Sequence, residues 1–180
     1  MQEEINKALV VLENGGIILY PTDTIWGVGC DATNEKAVLK IFKLKQRKDS
    51  KGLISLVENK HQLQNITGNI PDLDITSSPT TIIYPSAVGI SKKLLAKNGS
   101  AAIRIPKDDF CQQLIKHFGK PITSTSANIS GTTNPKQFLE ISEEIKKNVD
   151  YIVNLRHNEL MTTPSKILMI NKDGSIKKIR

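Results

Sequence analysis

Two short segments of small polar residues have the residue types that suit an anionic ligand. One is Pro21-Thr-Asp-Thr-Ile-Trp-Gly-Val-Gly29, and the other is Thr123-Ser-Thr-Ser-Ala-Asn-Ile-Ser-Gly131. Their hydroxyl, amide and glycine residues are weak core builders, but they let backbone N–H groups and hydroxyls approach a phosphate or carboxylate closely. Together with the two cations of Leu44-Lys-Gln-Arg47, they predict a site for a small anionic ligand, which we interpret as a nucleotide.

Lys45 is placed differently from its basic neighbours. It follows Val38, Ile41 and Phe42 at helical spacing, so it continues the apolar face of the predicted helix. Such a lysine either snorkels to solvent or lines a cleft. In the cleft, Arg47 is able to join it, because an arginine fork and a mobile lysine suit a phosphate chain. The remaining basic residues follow one another along a separate stripe: Lys36, Lys40, Lys43 and Arg47.

Polar side chains also mark two predicted strand ends. Ser124, Ser126 and Asn128 alternate, so they share one face if the strand direction persists, although the same residues also suit a polar turn. Arg104 lies among apolar neighbours just before Pro106. A buried arginine needs a partner, and either a ligand carboxylate or a structural acid would serve.

Several familiar site types are missing from the sequence. There is no P-loop motif and no G-x-G-x-x-G after a strand, and His61, His117 and His157 lie in no hydrolase or metallopeptidase motif. Cys30 and Cys111 lack C-x-x-C spacing, which indicates reduced structural thiols rather than a metal site.

The elements that must position these residues alternate irregularly between helix and strand. Helices are predicted at Ile5–Glu13, from an Asn34 cap to Lys45, and at Glu58–Leu63, Ser91–Lys97, Asp108–His117 and Pro135–Lys147. Strands are predicted at Ile17–Tyr20, Leu53–Val57, Thr80–Tyr84, Ala101–Ile105, Pro121–Thr125, Tyr151–Leu155, Lys166–Ile170 and Ser175–Ile179. The turn at Lys172-Asp-Gly174 joins the last two strands into an antiparallel hairpin. We therefore expect an α/β fold with a mixed, twisted sheet and helices packed on it.

Composition fits one globular domain of 180 residues, with 38% hydrophobic and 24% charged residues and a net charge of +7. The basic balance favours anionic partners such as nucleotides or RNA. Residues 36–51 hold seven basic residues with Asp49 as the only acid. This run is either a solvated helix face or part of an anion site. No apolar run approaches the roughly eighteen residues of a membrane span, and no signal peptide is evident, so we expect a cytoplasmic protein without membrane contact.

The ordered set of motifs resembles the YrdC-type threonylcarbamoyl-AMP synthase family. The resemblance covers about residues 5–180. It implies the single-domain form of the family, with one domain over residues 1–180. It depends on Tyr20-Pro-Thr-Asp-Thr-Ile-Trp-Gly-Val-Gly29, Lys45-x-Arg47, Arg104-Ile-Pro106 and Ser126-Ala-Asn-Ile-Ser-Gly131. It implies a twisted open sheet with flanking helices around a large positive cavity. The activity that it implies combines L-threonine, bicarbonate and ATP, with Mg²⁺, into threonylcarbamoyl-AMP and pyrophosphate. A separate transferase complex then modifies tRNA.

The resemblance also implies roles for individual residues. Those expected to bind threonine are Thr24, Arg104, Ser124 and Ser165. Those expected to bind ATP are Lys45, Arg47, Lys51, Ser100, Ser126, Asn128, Asn134 and Arg180, of which Lys45 and Arg47 would also neutralise charge during catalysis. No protein metal site is expected beyond the Mg²⁺ that accompanies ATP.

Some positions depart from the family pattern. Trp26 stands where tyrosine is usual, Lys48 and Gly52 replace prolines, and Lys166 stands where threonine is common. An alternative is therefore a paralogue that binds double-stranded RNA or tRNA without synthase activity, which the basic run also suits. A carbamoyl-transfer role like that in hydrogenase maturation proteins is a further alternative, although the acylphosphatase and zinc-finger parts that accompany it are absent.

Overall fold

A computed structural model describes residues 1–46, 53–72, 75 and 77–180. Its helices are α1 Gln2–Glu13, α2 Glu35–Leu44, α3 Lys60–Thr67, α4 Asp109–Phe118 and α5 Glu143–Lys147. Its strands are β1 Ile18–Tyr20, β2 Gly27–Gly29, β3 Ile54–Leu56, β4 Thr80–Tyr84, β5 Ala101–Arg104, β6 Ile122–Ser126, β7 Tyr151–Ile152, β8 Lys166–Ile170 and β9 Ile176–Lys178.

These strands form one sheet in the order β7-β1-β2-β6-β3-β5-β4-β8-β9. Three neighbouring pairs are parallel (β1 with β7, β3 with β5, β4 with β8), and the other five are antiparallel. The predicted mixed sheet is therefore confirmed. The expected closing hairpin is confirmed too, because β8 and β9 pair antiparallel around a turn in which Gly174 has a φ of 84°.

Helices cover both faces of the sheet. Alternate residues of a strand point to opposite faces, and in β1 Ile18 packs toward α1 and α4 whereas Leu19 packs toward α2. The third apolar cluster joins α3 to β4 and β5 through residues such as Leu63 and Ile103. The central strands are thus buried on both sides, even β6, whose sequence Ile-Thr-Ser-Thr-Ser is mostly polar. No helix in the described ranges is long and apolar enough to cross a membrane.

Helix caps set the boundaries that the sequence predicted best. The Asn34 side chain accepts a hydrogen bond from the backbone N–H of Ala37 at 3.1 Å, which starts α2 at the predicted place. The Asp108 carboxylate accepts from Cys111 N at 2.7 Å and starts α4. Helix α4 ends at Gly119, whose φ of 70° few other residues adopt.

Two predicted helices were wrong, and one strand was not predicted. The helix predicted at Ser91–Lys97 is a short 3₁₀ helix over Lys92–Leu94, because Leu95 is extended and Ala96 donates instead to the carbonyl of Ser100. The helix predicted at Pro135–Lys147 is interrupted at the extended residue Ile141, after which Ser142 caps α5. Finally, strand β2 was not predicted, since two of its three residues are glycines, which are depleted in strands.

Candidate active site

A cavity of about 280 Å³ opens beside the ends of β5 and β6. Its apolar lining comes from Ile25, Ile54, Pro164 and Ile167. Its polar lining consists of hydroxyl, amide and guanidinium side chains: Thr24, Thr81, Arg104, Ser124, Thr125, Ser126, Asn134, Ser165 and Arg180. Because no carboxylate belongs to this described wall while two arginines do, the cavity suits an anionic ligand.

Arg104 is the buried cation of this wall. It ends β5 opposite Leu56 of β3 and is only 3% exposed. Its NH1 donates to Thr24 Oγ1 at 3.0 Å, and its NH2 lies 3.2 Å from Asp23 Oδ1. Its Nε has no hydrogen-bond partner among the described residues. Of the two partners considered from the sequence, the structure provides the structural acid, and it still leaves one donor of Arg104 unused.

Ser124 and Ser126 both line the cavity from β6, as their alternation predicted. The expected shared face does not extend to Asn128, whose backbone N–H donates to the Ser126 carbonyl at 2.9 Å in a turn after the strand. The Asn128 amide nitrogen donates to Thr132 O at 2.6 Å. Its Oδ1 accepts from Ser126 Oγ, also at 2.6 Å. Asn128 therefore supports the wall from behind.

Lys45 lies directly behind Ser126. Its side chain is fully buried, and its ammonium donates to Ser126 O at 2.5 Å and to Asn128 Oδ1 at 2.9 Å. The ammonium thus neither snorkels to solvent nor forms part of the described lining. Its positive charge is instead held within one residue of the cavity surface, where the low dielectric of the interior makes it act strongly on an anion.

The far wall of the cavity comes from the end of the chain. Ser165 Oγ lies 2.8 Å from Thr81 Oγ1 on β4, and the guanidinium of Arg180 donates twice to the Ser165 carbonyl at 2.9 and 3.1 Å. The backbone of Arg180 also pairs with Ile167 on β8. The structure therefore brings Ser165, Arg180 and Asn134 together with Thr24, Arg104, Ser124 and Ser126 around one cavity.

Apart from Lys45 and Asn128, which lie behind the wall, one described residue of the predicted site, Ser100, is not in this group. Ser100 lines a separate depression with Asn98, whose side chain accepts from the Ser100 hydroxyl at 2.7 Å. Its contact with a nucleotide stays a prediction, and the site proposed below does not include it. Arg47 and Lys51 lie outside the described residues.

Two residues of the site were missed at the sequence level. Asp23 lies inside the quoted motif as its lone acid, and a charged residue amid such apolar and hydroxyl neighbours is a signal that it has a partner. Thr81 gave no comparable signal, because threonine is an ordinary residue of strands.

The position expected to be aromatic holds a buried ring. Trp26 is completely buried and packs on Phe138 and His157, with ring centroids 5.2 and 5.5 Å away. The ring belongs to the apolar core beside α2 rather than to the described cavity lining, although its neighbours Ile25 and Gly27 do line the cavity. Trp26 therefore supports the motif from the core side.

Among the described residues, no cysteine is activated as a thiolate nucleophile, and no set of side chains is arranged to bind a metal ion. Burial raises the pKa of Cys30 to about 12. Burial also raises the pKa of Cys111 well above its ordinary value, so both thiols stay protonated near neutral pH. No group of three histidine, cysteine or acidic side chains in the described ranges is arranged to hold a metal ion.

Fold and site together define the class of protein: an α/β domain with a mixed sheet whose strand ends enclose a positive, hydroxyl-lined cavity. The family model Sua5_yciO_yrdC, described as telomere recombination, matches residues 10–180. The chain therefore belongs to the Sua5/YciO/YrdC family, as the motif resemblance predicted.

Curated relatives and solved structures agree with this assignment. The chain is 35% identical over 159 residues to the threonylcarbamoyl-AMP synthase of Photobacterium profundum, which covers 84% of this chain and 86% of that protein. The synthase of Pseudoalteromonas translucida is likewise 35% identical, covering 85% and 86%. The fold matches the crystal structure of P. abyssi Sua5 complexed with L-threonine at a TM-score of 0.85 and 23% identity, covering all of this chain and 54% of that one.

Proposed function

We infer that this protein is an L-threonylcarbamoyladenylate synthase, a nucleotidyltransferase that joins L-threonine, bicarbonate and ATP and releases pyrophosphate. Relatives with the synthase name match most of the chain at 30–35% identity. The geometric observation that carries the proposal is Arg104, a buried cation in the wall of a cavity whose described lining holds no carboxylate.

The threonine end of the site would lie around Arg104. Its guanidinium at the cavity wall suits a carboxylate, since arginine recognises carboxylates through paired N–H donors. Thr24, Ser124 and Ser165 place hydroxyls on the same cavity. We assign these four residues to L-threonine, with Thr81 fixing the hydroxyl of Ser165 through the 2.8 Å contact.

The ATP end would lie around Ser126. Asn134 and Arg180 line the cavity with it, whereas Lys45 and Asn128 support it from behind. In this arrangement Ser126 and Asn134 contact the nucleotide directly. Lys45 adds positive charge beneath the phosphates, and Arg180 adds it from the far wall. Arg47 and Lys51 are proposed phosphate contacts on the strength of the motif alone.

The reaction needs no side-chain nucleophile. The threonine amine adds to carbon dioxide with loss of a proton, or to bicarbonate with loss of water, and gives N-carboxythreonine. Its new carboxylate attacks the α-phosphorus of ATP while the bond to pyrophosphate breaks. The chain's own residues contribute orientation and charge stabilisation: Arg104 holds the substrate carboxylate, and Lys45 offsets developing charge on the phosphates.

Magnesium is proposed as the companion of ATP. The cavity wall offers neutral oxygens on Ser124, Ser126 and Asn134, and no carboxylate belongs to its described part. This set fits an ion that arrives on phosphate oxygens and keeps its waters, as Mg²⁺ does. When bound, it would neutralise phosphate charge.

The test is pyrophosphate release from ATP by purified protein, with bicarbonate and Mg²⁺, in the presence and absence of L-threonine. We expect release that depends on threonine and is absent with L-serine at equal concentration. Equal release without threonine, or none under any condition, would overturn the proposal.

The alternative of an RNA-binding paralogue without synthase activity is not favoured, because the matched curated relatives carry the synthase name. We propose that the product passes to a separate transferase complex that modifies tRNA, and that the protein works in the cytoplasm. Within the basic run, the exposed lysines Lys36, Lys40 and Lys43 remain a candidate surface for tRNA. Steeply salt-dependent RNA binding without ATP turnover would restore the alternative.

A further inference from the structure

The carboxylate of Asp23 pairs with Arg104 outside the described wall of the cavity. Its side chain is 7% exposed, and its Oδ1 is 3.2 Å from Arg104 NH2. The described cavity wall includes Arg104 but not Asp23. Asp23 therefore touches the proposed carboxylate-binding cation without facing the cavity itself.

The other oxygen of Asp23 anchors it to the neighbouring loop. Asp23 Oδ2 accepts a hydrogen bond from the backbone N–H of Lys107 at 3.0 Å, just after β5. On the cavity side, Thr24 Oγ1 accepts from Arg104 NH1 at 3.0 Å. The guanidinium is thus held between two consecutive residues of one loop, so its plane is set before any ligand arrives.

The contact between Asp23 and Arg104 is ionic rather than directional. Although the two groups are 3.2 Å apart, Asp23 Oδ1 makes no well-oriented hydrogen bond, and Arg104 Nε has no partner among the described residues. Arg104 belongs to the cavity lining, so a carboxylate ligand can reach its guanidinium while Asp23 keeps its position. A buried arginine without such a neighbour would be an uncompensated charge.

We propose that Asp23 is a positioning residue for substrate recognition, which orients Arg104 toward the carboxylate of the amino-acid substrate. The proposal rests on the function inferred above. Asp23 acts through Arg104 and makes no contact with substrate, so its removal weakens threonine binding and leaves ATP binding and the chemical step intact.

The experiment compares Asp23→Asn with a matched control, Asp31→Asn. Asp31 is an equally buried aspartate, and its Oδ2 is also 3.2 Å from a cation, Lys120 Nζ. It pairs with Ile122 at the start of β6, about 13 Å along the strand from Ser126. Threonine binding is measured by calorimetry, and pyrophosphate release gives KM for each substrate and kcat.

For Asp23→Asn we expect the threonine Kd and KM to rise about tenfold, the usual scale for losing a residue that orients a ligand-binding group. The KM for ATP and the kcat at saturating threonine stay within about twofold of wild type. Asp31→Asn leaves all four values unchanged. L-threonine amide, which lacks the carboxylate, binds equally weakly to wild type and Asp23→Asn.

A double variant tests whether Asp23 acts through Arg104. In the Arg104→Ala background, Asp23→Asn adds no further loss of threonine affinity, because the group that it orients is gone. A separate additional loss there would overturn the proposal, since Asp23 would then act on substrate directly. An equal rise in the KM for both substrates would overturn it too.

The outcomes separate this inference from the proposed function. Wild-type protein that binds no threonine would overturn both. Wild-type protein that binds threonine, with Asp23→Asn binding equally well, would overturn the inference alone. If Asp23→Asn does not fold, Asp23→Glu keeps the charge but displaces the guanidinium. It is then expected to raise the threonine Kd while the ATP KM is unchanged, and an unchanged threonine Kd would refute the proposal.

Discussion

Two buried carboxylates, Glu4 and Asp23, lie in differently built regions of the protein. Glu4 on α1 is 8% exposed and accepts hydrogen bonds from Tyr151 OH and Asn154 N, both at 2.6 Å. Asp23, which does not line the cavity, lies beside Arg104, yet its Oδ1 and the Arg104 Nε both lack a hydrogen bond. The Oε2 of Glu4 thus accepts two hydrogen bonds from the fold, whereas the Oδ1 of Asp23 accepts none.

The same difference in hydrogen bonding distinguishes the region around Glu4 from the region around the cavity. Four buried side-chain polar atoms of the described residues have no hydrogen-bond partner: Asp23 Oδ1, Trp26 Nε1, Arg104 Nε and Thr125 Oγ1. All four belong to the segments that build or support the cavity. Because folded proteins satisfy nearly all buried polar groups, such a concentration indicates that this region is organised for a ligand rather than for stability.

The largest effect is expected from Arg104→Ala. Removing the cation from the cavity should cost about 2–5 kcal/mol of threonine binding, because the ligand carboxylate and Asp23 both lose their partner. Threonine KM in the pyrophosphate assay should rise at least about thirtyfold, with the fold intact by circular dichroism. Unchanged threonine affinity would show that the incomplete bonding at Arg104 has no role in binding.

The second largest effect is expected from Asn128→Ala, because this change removes a hydrogen-bond acceptor from the buried ammonium of Lys45. Losing a hydrogen bond to a buried charge should lower the free energy of unfolding by about 2 kcal/mol. Denaturant titration measures it. The control is Asn148→Ala, whose exposed amide only donates to the Glu144 carbonyl. Equal losses in the two variants would contradict a special role for the group behind Ser126.

Glu4→Gln tests the region around Glu4, where the carboxylate accepts hydrogen bonds from Tyr151 and Asn154. Partial burial raises the pKa of Glu4, but hydrogen bonds from Tyr151 and Asn154 N, with help from Lys7, outweigh it and hold the pKa below its ordinary value of 4.5. The stabilisation from Glu4 is therefore present above that value and is lost as pH falls through the lower folded pKa. At pH 7, Glu4→Gln should reduce the free energy of unfolding by about 1 kcal/mol.

The pH dependence provides the control for that prediction. Between pH 5 and pH 3, wild type should lose more stability than Glu4→Gln, because only wild type has this carboxylate to protonate. Unfolding curves at several pH values measure the difference. If both proteins lost the same free energy of unfolding, the ionised Glu4 carboxylate would not stabilise the fold. Threonine affinity at pH 7 should be unaffected.

The smallest effect is expected from Lys120→Ala. The Lys120 side chain is 52% exposed where it meets Asp31, and solvent screens such a pair. The variant should lose less than about 1 kcal/mol of unfolding free energy and keep its substrate KM values. If Lys120→Ala lost as much free energy of unfolding as Asn128→Ala, the buried contact of Lys45 would be no more important for stability than this exposed ion pair.

Much of the local structure was predictable from particular residues. Asn34 and Asp108 act as helix caps, and Gly174 allows the final hairpin, because each of these features depends on a few neighbouring positions. The exposed helix stripe and the inward position of Lys45 followed from helical spacing. The interruption at Ile141 was not predictable, since its apolar spacing continued a helical pattern that tertiary packing overrides.

The sequence by itself determined the family, the mixed sheet and most of the residues that surround the cavity, because motifs and periodicity are local properties of the chain. Only the tertiary structure decided how they combine. Thr24 meets Arg104 across 80 positions, and Lys45 meets the Ser126 carbonyl across 81. Such contacts depend on strand order and register, which many distant residues set together. For that reason Asp23 became visible as the neighbour of Arg104 only in the folded protein.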